Sequence, residues 1–424
     1  MNPLLRFTVE NYKSIAGRKT ILFTPRKITD EPKTNVVSNG RIKYLRTCAV
    51  YGANSSGKSN LIGAMAQMKN LVRGSVRLND DDPLDYTPFI LDEDSFLRPT
   101  LFEVEFSIEG NIYRYGFSHN AVEICEEWFY MIKKTAEKPF FIRNADGIGI
   151  DEKLFPEGHN LEEKTNGNRL FISLVGQNGG KLSNMVLSFF RNGLNFISGL
   201  NTEPLDFYSQ KSIQKDEGVS NRINNFFDKV KLGFQNILIE EVSFDPVSLP
   251  SDMPEPLRDK MLSMLEGKKT LKTSSEHNVY NGKGEIVGRS TFDFDRMESS
   301  GTKKLFELSG PIFDTLERGA VIVIDELDAK MHPLLSQELI ALFNNPESNP
   351  LGAQLVFSTH DTHLLSSHLL RRDQVWFTEK DAHERTDLYN LMQIVLPDGT
   401  TPRGDGNLER NYIQGRYGAI PYIG

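Results

Sequence analysis

"AVYGANSSGKSNLIGAM", residues 49–65, is the stretch on which the fold turns. An apolar lead, Thr47 to Tyr51, runs into small and polar residues, after which Leu61, Met65, Met68 and Val72 recur at helical spacing. The spacing Gly52-x4-Gly57-Lys58-Ser59 suits a phosphate-binding loop: backbone N–H groups wrap phosphate oxygens, the lysine reaches the outer phosphates and the hydroxyl ligates Mg²⁺. At average composition, a chain this long matches the bare pattern by chance roughly one time in seventy. The strand before the loop and the helix after it, whose N-terminus attracts anions, make nucleotide binding the reading.

Composition sets the outer bounds. The chain has 424 residues, 38% hydrophobic and 25% charged, enough for two or three domains' worth of core. Two cysteines, Cys48 and Cys125, give neither a disulfide framework nor a metal cluster, which leads us to expect a reducing, cytoplasmic setting. The longest apolar runs, such as 320–324, are too short to span a bilayer, and the N-terminal segment lacks a signal-peptide core, so no membrane partner is expected. A net charge of −8 argues against a surface basic throughout but leaves room for a local patch. Lys268-Lys269-x-x-Lys272, Arg371-Arg372 and Lys133-Lys134 are the candidates for nucleic-acid contact, with a solvated face as the plainer account of each.

Along the chain, residues 7–15 read as an edge strand and turn, and 19–23 as a second strand. "TLFEVEFSIEGNIYRYGFS" alternates on either side of Glu109-Gly110-Asn111, a hairpin signal, and 122–132 and 140–143 continue in that style. Residues 221–233 and 255–265 read as helices within a more polar stretch, and a further hairpin turns at Asn281-Gly282-Lys283-Gly284. No sustained heptads appear, so the insertion is expected to be compact. From Met297 onward, helix and strand alternate (302–316, 320–325, 333–344, 354–358, 362–368, 374–378), an α/β pattern with a largely parallel sheet. One nucleotide domain, split by the segment between its halves, is expected.

"AVIVIDELDAKMHP" supplies what a phosphate loop lacks for hydrolysis. Four apolar residues end in Asp325-Glu326, placing carboxylates at the C-terminal edge of a buried strand. Asp325 would hold Mg²⁺, through water, and Glu326 would act as general base or orient the attacking water. "QLVFSTHDTHLL" ends a neighbouring strand in His360, placed to touch a γ-phosphate; with Asp361, His363 and His368 it could instead be read as a metal site, though no fourth ligand stands out. In "RMESSGTKKLFEL", two serines and a glycine open a helix, making a second anion site or, equally, an N-cap by Ser299 or Ser300.

Together these pieces resemble the ABC-type ATPases of the SMC, RecF and OLD kind, and most closely the short bacterial anti-phage ATPases of the AbiL/RloA type. The resemblance implies an α/β fold: an ABC-type P-loop NTPase head with a mostly parallel sheet, an antiparallel β lobe and a compact inserted helical and hairpin region. It divides the chain into 1–200 (first part of the head), 201–290 (insertion) and 291–424 (second part). By position, Walker A spans Gly52–Ser59, so that Asn54, Ser55, Gly57, Lys58, Ser59 and Asn60 would bind ATP, with Ser59 and Asp325 on Mg²⁺. Glu298–Thr302 would be the signature, with Ser299 and Gly301 on nucleotide, although ESSGT departs from the transporter LSGGQ and Pro311 should kink the helix that follows. Asp325-Glu326 would be Walker B, Leu327-Asp328-Ala329 the D-loop and His360 the switch histidine, with Glu326 and His360 catalytic. Lys13, in "NYKSI", sits where such proteins carry a basic residue near the nucleotide, Gln177 falls where a Q-loop glutamine could lie, and the tail 411–421 is also typical of the short anti-phage members.

In such proteins ATP is clamped between the Walker A of one subunit and the signature of another, so a head-to-tail homodimer, or a higher even oligomer, is implied. The expected function is an ATP-driven switch subunit of an anti-phage, abortive-infection-like system that controls a separate effector, nuclease-like and of the RloB or Toprim type. The alternative is a RecF/SMC-like repair or chromosome ATPase that binds DNA directly. A complete OLD-like nuclease is disfavoured: only residues 361–424 follow His360, and Asp293-x-Asp295, the one paired carboxylate outside the ATPase motifs, reads better as a strand face.

Overall fold

A computed structural model describes all residues except 1, 29–30, 134–135, 244–252, 266, 268, 397–398, 405 and 422–424; Lys134 and Lys268, from two of the basic stretches above, lie outside the described residues. The chain divides into two compact units, one of Met1–Leu200, Thr315–Ala329 and Pro333–Gly424, the other of Asn201–Asp314 and Lys330–His332.

In the first unit, a six-stranded sheet runs in the order Leu194–Ser198, Val321–Asp325, Gln354–Ser358, Thr47–Tyr51, Val375–Lys380, Thr386–Asn390. All pairings are parallel except the last. Its central strands are buried along their length, as the unbroken apolar runs predict. The mostly parallel sheet expected from the sequence is therefore present.

An antiparallel sheet of seven strands forms the lobe, ordered 147–150, 136–144, 124–133, 111–119, 100–108, 4–10, 19–22. The hairpin at Glu109-Gly110 has φ of 50° and 79°, a two-residue turn that matches strand twist. Leu4–Glu10 is not the edge strand expected: it pairs with Thr100–Ile108 on one side and Lys19–Leu22 on the other. Alternation reveals which residues are covered, not which strand lies alongside. Between the two sheets lies the helix Lys58–Gly74, whose Leu61, Met65, Met68 and Val72 share one core with Phe102, Phe106 and Phe117 of the lobe and with Val50, Val323 and Val356 of the parallel sheet. Burial of these side chains stabilises by about 1.5–3 kcal/mol each, which is what fixes the helix, and the loop ahead of it, in place.

The second unit contains the helices Asp206–Lys215, Glu217–Val230 and Glu255–Leu265 and an antiparallel sheet of Asn236–Ser243, Lys269–Tyr280 and Ile286–Asp293. It runs past the expected boundary at 290. Phe294 meets Phe234 and Phe306, and Phe313 meets Phe226, so one aromatic cluster ties the start of the helix Ser300–Arg318 to the insertion. Asp293 ends its strand and caps the turn Phe294–Met297 by accepting from Arg296 N; Asp295 therefore lies in a helical turn, not on the strand face expected.

Pro311 does not interrupt Ser300–Arg318. A proline removes the N–H that would bond the carbonyl four residues back, here Glu307 O. Ser209 makes up the loss: its hydroxyl donates to Glu307 O (2.8 Å) and accepts from Gly310 N (3.0 Å). Gly310 is required for this approach, because a Cβ there would lie 2.7 Å from Ser209 Cα. Residues 362–368, expected as a helix, form only the 3₁₀ turn Thr362–Leu364, which Asp361 caps by accepting from His363 N. Among the described residues no helix is long and apolar enough to cross a membrane.

Candidate nucleotide site

The parallel register sets Ser198 beside Asp325, Ile324 beside Phe357, and Ser358 beside Val50, bringing the carboxyl ends of four strands to one edge. Ligands of open α/β sheets bind at such an edge. The phosphate loop leaves the Thr47–Tyr51 strand there with Ser55 at φ 63° and Gly57 at φ 111°.

Its tight course follows from what lies beneath it. Thr386 Oγ1 donates to Ser56 O (3.0 Å), and a Cβ on Gly57 would sit 2.1 Å from that oxygen. Ser56 Oγ shares a hydrogen bond with Thr378 Oγ1 (2.7 Å), and a Cβ on Gly52 would lie 2.4 Å from Thr378 O. Asn60 Nδ2 donates to Ser14 Oγ (2.6 Å), and Ser14 Oγ bonds in turn with Thr386 Oγ1 (2.7 Å). The segment bearing Lys13 is thus tied to the start of the helix; Lys13 itself is exposed, with φ 48° and its Nζ 5.4 Å from the Tyr12 ring centroid. Asn54, Ser55 and Ser59 are exposed along the loop and the first helical turn.

Lys58 is buried. Its Nζ donates to Gly52 O (2.7 Å) and Ala53 O (3.0 Å) and lies 3.5 Å from His360 Nδ1. Burial lowers its pKa to about 8, while Asp325, Glu326 and Asp328 pull the other way. Burial, and then Lys58, lower the pKa of His360 below its ordinary 6.5, so its ring is neutral at pH 7 and offers one donor and one acceptor nitrogen.

Ser358 locks the acidic turn. Its hydroxyl donates to Asp325 Oδ1 (2.5 Å) and accepts from Glu326 N (2.8 Å), while Leu327 N donates to Ser358 O (3.1 Å). Glu326 takes the left-handed φ of 57°, which costs about 1–3 kcal/mol for a residue with a side chain and persists only where its surroundings enforce it. Gly199 closes the other side: its N–H donates to Asp325 O (2.6 Å), and a Cβ on it would lie 2.0 Å from Glu326 O. His360 N approaches Asp328 Oδ2 at 3.4 Å, and Asp328 Oδ1 is buried without a hydrogen-bond partner. Among the described residues no group of three or more His, Cys, Asp or Glu side chains forms a metal site, so an Mg²⁺ held by the Ser59 hydroxyl and the Asp325 carboxylate would take its other oxygens from nucleotide and water.

The structure thus brings Lys58, Asp325, Glu326, Asp328 and His360 together. It does not bring Gln177 to them. Gln177 ends the helix Phe171–Gln177 and lines a cavity with Arg73 and Arg77, beyond the C-terminal end of the Lys58–Gly74 helix, about 20 Å along it from the phosphate loop. The Q-loop placement fails because sequence spacing does not reveal which end of a helix a later segment reaches. Ser14, Ser56, Gly199, Ser358, Thr378 and Thr386 escaped notice: each acts on backbone or on another polar side chain far from it in sequence, so none carries a motif.

In the second unit, Ser299 Oγ accepts from Thr302 N (3.2 Å) and bonds Thr302 Oγ1 (2.9 Å), the N-cap that was the alternative reading of this serine. Glu298 is held by His277 Nε2 (3.0 Å), and a Cβ on Gly301 would stand 3.0 Å from Lys330 O. The tail also has a structural account. Tyr412 packs on Phe377 and Tyr51 beneath the phosphate-loop strand, Tyr417 O accepts from Tyr389 Oη, and Thr362 Oγ1 donates to Glu409 Oε1 (3.2 Å). It is a brace behind the His360 turn.

Among curated proteins none matches. Among solved structures, the chain is similar to an SMC head bound to the C-terminal winged-helix domain of ScpA (12% identity, covering 92% of this chain and 98% of that one, TM-score 0.46). It is similar also to the SMC head domain from Thermotoga maritima (13%, 91% and 98%, 0.41) and to the recombination mediator RecF with ATP (14%, 85% and 94%, 0.34). A family model described as "AAA domain, putative AbiEii toxin, Type IV TA system" matches residues 48–366, from the phosphate-loop strand to beyond His360. With that match over about three-quarters of its length, and the phosphate loop and acidic strand end inside it, the chain belongs to this AAA-domain family.

Proposed function

We propose that the protein is an ATP-binding and ATP-hydrolysing switch subunit, closing as a head-to-tail dimer on ATP and opening on hydrolysis, that controls a separate effector in an anti-phage, abortive-infection-like system. The observation that carries the hydrolytic part is the convergence, at one sheet edge, of the Lys58 ammonium, the His360 ring 3.5 Å from it, and an Asp325-Glu326 turn fixed by Ser358. The defence role draws on the resemblance and on the family description, which names a toxin–antitoxin system. The RloB- or Toprim-like effector rests on the resemblance alone.

In this reading the loop N–H groups and Lys58 hold the β- and γ-phosphates, Lys58 exchanging its two carbonyl partners for phosphate oxygens. Ser59 and Asp325 would hold Mg²⁺, which supplies charge neutralisation between the phosphates. Glu326 accepts the proton of the attacking water, and His360, neutral and beside Lys58, donates a hydrogen bond to the γ-phosphate. Ser299 serves the nucleotide of the partner copy: its hydroxyl, which now accepts from Thr302 N, and the N–H groups that open its helix are the donors a γ-phosphate needs.

Paired variants test this. Glu326→Gln binds ATP with parental affinity, turns over at least a hundredfold more slowly, and is trapped as a dimer by ATP but not ADP, read by light scattering. Ser299→Arg alone loses hydrolysis while still binding ATP; co-expressed with Lys58→Ala as a doubly tagged heterodimer, it regains part of the activity through the one site with both halves intact. Parental turnover by Ser299→Arg would leave "ESSGT" a helix cap and nothing more.

A further inference from the structure

In two of the three basic stretches conspicuous in the sequence, the described residues are ion-paired in the fold. Arg371 pairs with Asp373 (2.8 Å), Arg372 with Glu31 (2.6 Å), Lys269 with Glu241 (3.4 Å) and Lys272 with Asp293 (3.9 Å). A different set of cations, scattered in sequence, converges without any such partner. Arg73, Arg77 and Arg191 line one cavity of about 170 Å³, and among the described residues none of the three makes an ion pair or a side-chain hydrogen bond. Its floor is apolar, from Val72, Val76 and Leu187; Gln177 adds an amide, and Asn184 lies beside it with its Nδ2 already donating to Gly176 O and Gly180 O (2.9 Å each).

Lys69 lies beside the set without lining the cavity. It stands one helical turn before Arg73, its Nζ held on Leu194 O (2.5 Å), and its pKa is pulled down to about 8, first by burial and then by Arg73. Like charges four residues apart on a helix repel, and among the described residues no carboxylate pairs with either. The N-terminal end of this same helix carries the phosphate loop, about 20 Å away, so the cluster is not part of the nucleotide site. The step from 69 to 73 rises about 6 Å, and Arg77 follows at the end of the 3₁₀ turn Ser75–Arg77. A ladder of that length suits an anion with several charges in a row better than a lone phosphate. Arginine forks match phosphate oxygens and stack on bases, while an apolar floor and the Gln177 amide offer a resting place for a base without a pattern specific to one.

We propose that this cleft, lined by Arg73, Arg77, Arg191 and Gln177, binds the phosphodiester backbone of a nucleic acid without reading its sequence. The site is distinct from the nucleotide site and does not depend on that reading. Nucleic-acid binding of this kind releases counterions, so log K falls with log salt in proportion to the phosphates neutralised.

The test is fluorescence anisotropy of labelled single- and double-stranded oligonucleotides of mixed sequence with the full chain, from about 50 to about 200 mM salt. The triple variant Arg73→Ala/Arg77→Ala/Arg191→Ala is expected to bind at least tenfold more weakly at the lower salt, with a single-strand salt slope shallower by about 2. Lys269→Ala/Lys272→Ala, which removes paired lysines, should bind like the parent. So should Lys58→Ala, and that result keeps this proposal separable from the nucleotide reading. If the triple variant does not fold, Arg191→Glu alone should weaken binding several-fold. Parental affinity and slope in the folded triple variant, or in Arg191→Glu, would overturn the proposal. So would a parent that binds no oligonucleotide, one that prefers polyglutamate, or one from which tripolyphosphate displaces oligonucleotide at equal phosphate concentration.

Discussion

Glu127, in the middle of the antiparallel lobe, is fully buried and its carboxylate is used throughout: Phe171 N (2.7 Å), Ile172 N (3.1 Å) and Tyr115 Oη (3.0 Å) donate to it, and Arg143 stands near. Lys58, at the edge of the parallel sheet, is nearly as buried, yet it is held by two loop carbonyls with a neutral imidazole beside it. Around it, Asp328 Oδ1, Asp361 Oδ2 and Tyr51 Oη are buried with no hydrogen-bond partner among the described residues. A buried charge whose partners are all supplied by the chain does structural work, here capping the helix Phe171–Gln177. One whose neighbourhood keeps unspent donors and acceptors is poised for something the chain does not contain. Glu127 and Lys58 differ in that respect, and the difference belongs to these two sites: elsewhere in the lobe Arg6 Nε, Arg114 Nε and His119 Nε2 are also buried with no hydrogen-bond partner among the described residues.

The largest effect that could break this contrast comes from exchanging which group is removed. Glu127→Ala leaves two amides and a hydroxyl facing a void, removes the charge beside Arg143, and should lower unfolding free energy by about 3–5 kcal/mol in urea titrations. The folded fraction should keep parental affinity for ATP. Lys58→Ala should do the reverse, raising the Kd for ATP about a hundredfold, the equivalent of about 2.7 kcal/mol of charge-assisted bonding, with little change in the urea midpoint. Loss of nucleotide affinity in the folded Glu127→Ala protein would erase the distinction.

Next is the close packing of the phosphate loop. Gly57→Ala forces a side chain onto a left-handed φ and into Thr386, and should cost about 1–3 kcal/mol, with at least a tenfold rise in the Kd for ATP measured by calorimetry. A variant of parental affinity would show that Thr386 does not shape the loop. Smaller again, Ser209→Ala returns Glu307 O and Gly310 N to an unpaired state around Pro311 and should cost about 1–2 kcal/mol. ATP affinity should be unchanged. An unaltered melting curve would mean that the helix tolerates Pro311 without help.

The finest test is pH. The Lys58 pKa is about 8 in the fold against an ordinary 10.5, so between those values the unfolded chain binds more protons than the native one. Stability contributed at this position therefore rises as pH rises from 8 to 10.5. The difference in melting temperature between parent and Lys58→Ala should drift in the parent's favour over that window. A drift in the opposite direction would mean that the loop carbonyls, not burial, dominate the lysine's environment.

Much of the site was legible because the chemistry is local. A phosphate loop needs glycines, a lysine and a hydroxyl at fixed spacing, and an acidic pair must follow an apolar strand, so Gly52–Ser59 and Asp325-Glu326 announced themselves, as did the parallel sheet and the Glu109-Gly110 hairpin. The structure alone decided which distant residues serve them. Ser358, Gly199 and Thr386 act by donating to, accepting from or making room for backbone, a role open to many residues and set by parallel register between strands far apart in sequence. The same holds for the charges: adjacent arginines at 371 and 372 look like a patch and are ion-paired, whereas Arg73, Arg77 and Arg191 look like nothing and share one cleft. Spacing fixes which side chains can meet within one element; only packing between elements decides what faces them, and it moved Gln177 from the nucleotide to the far end of the helix.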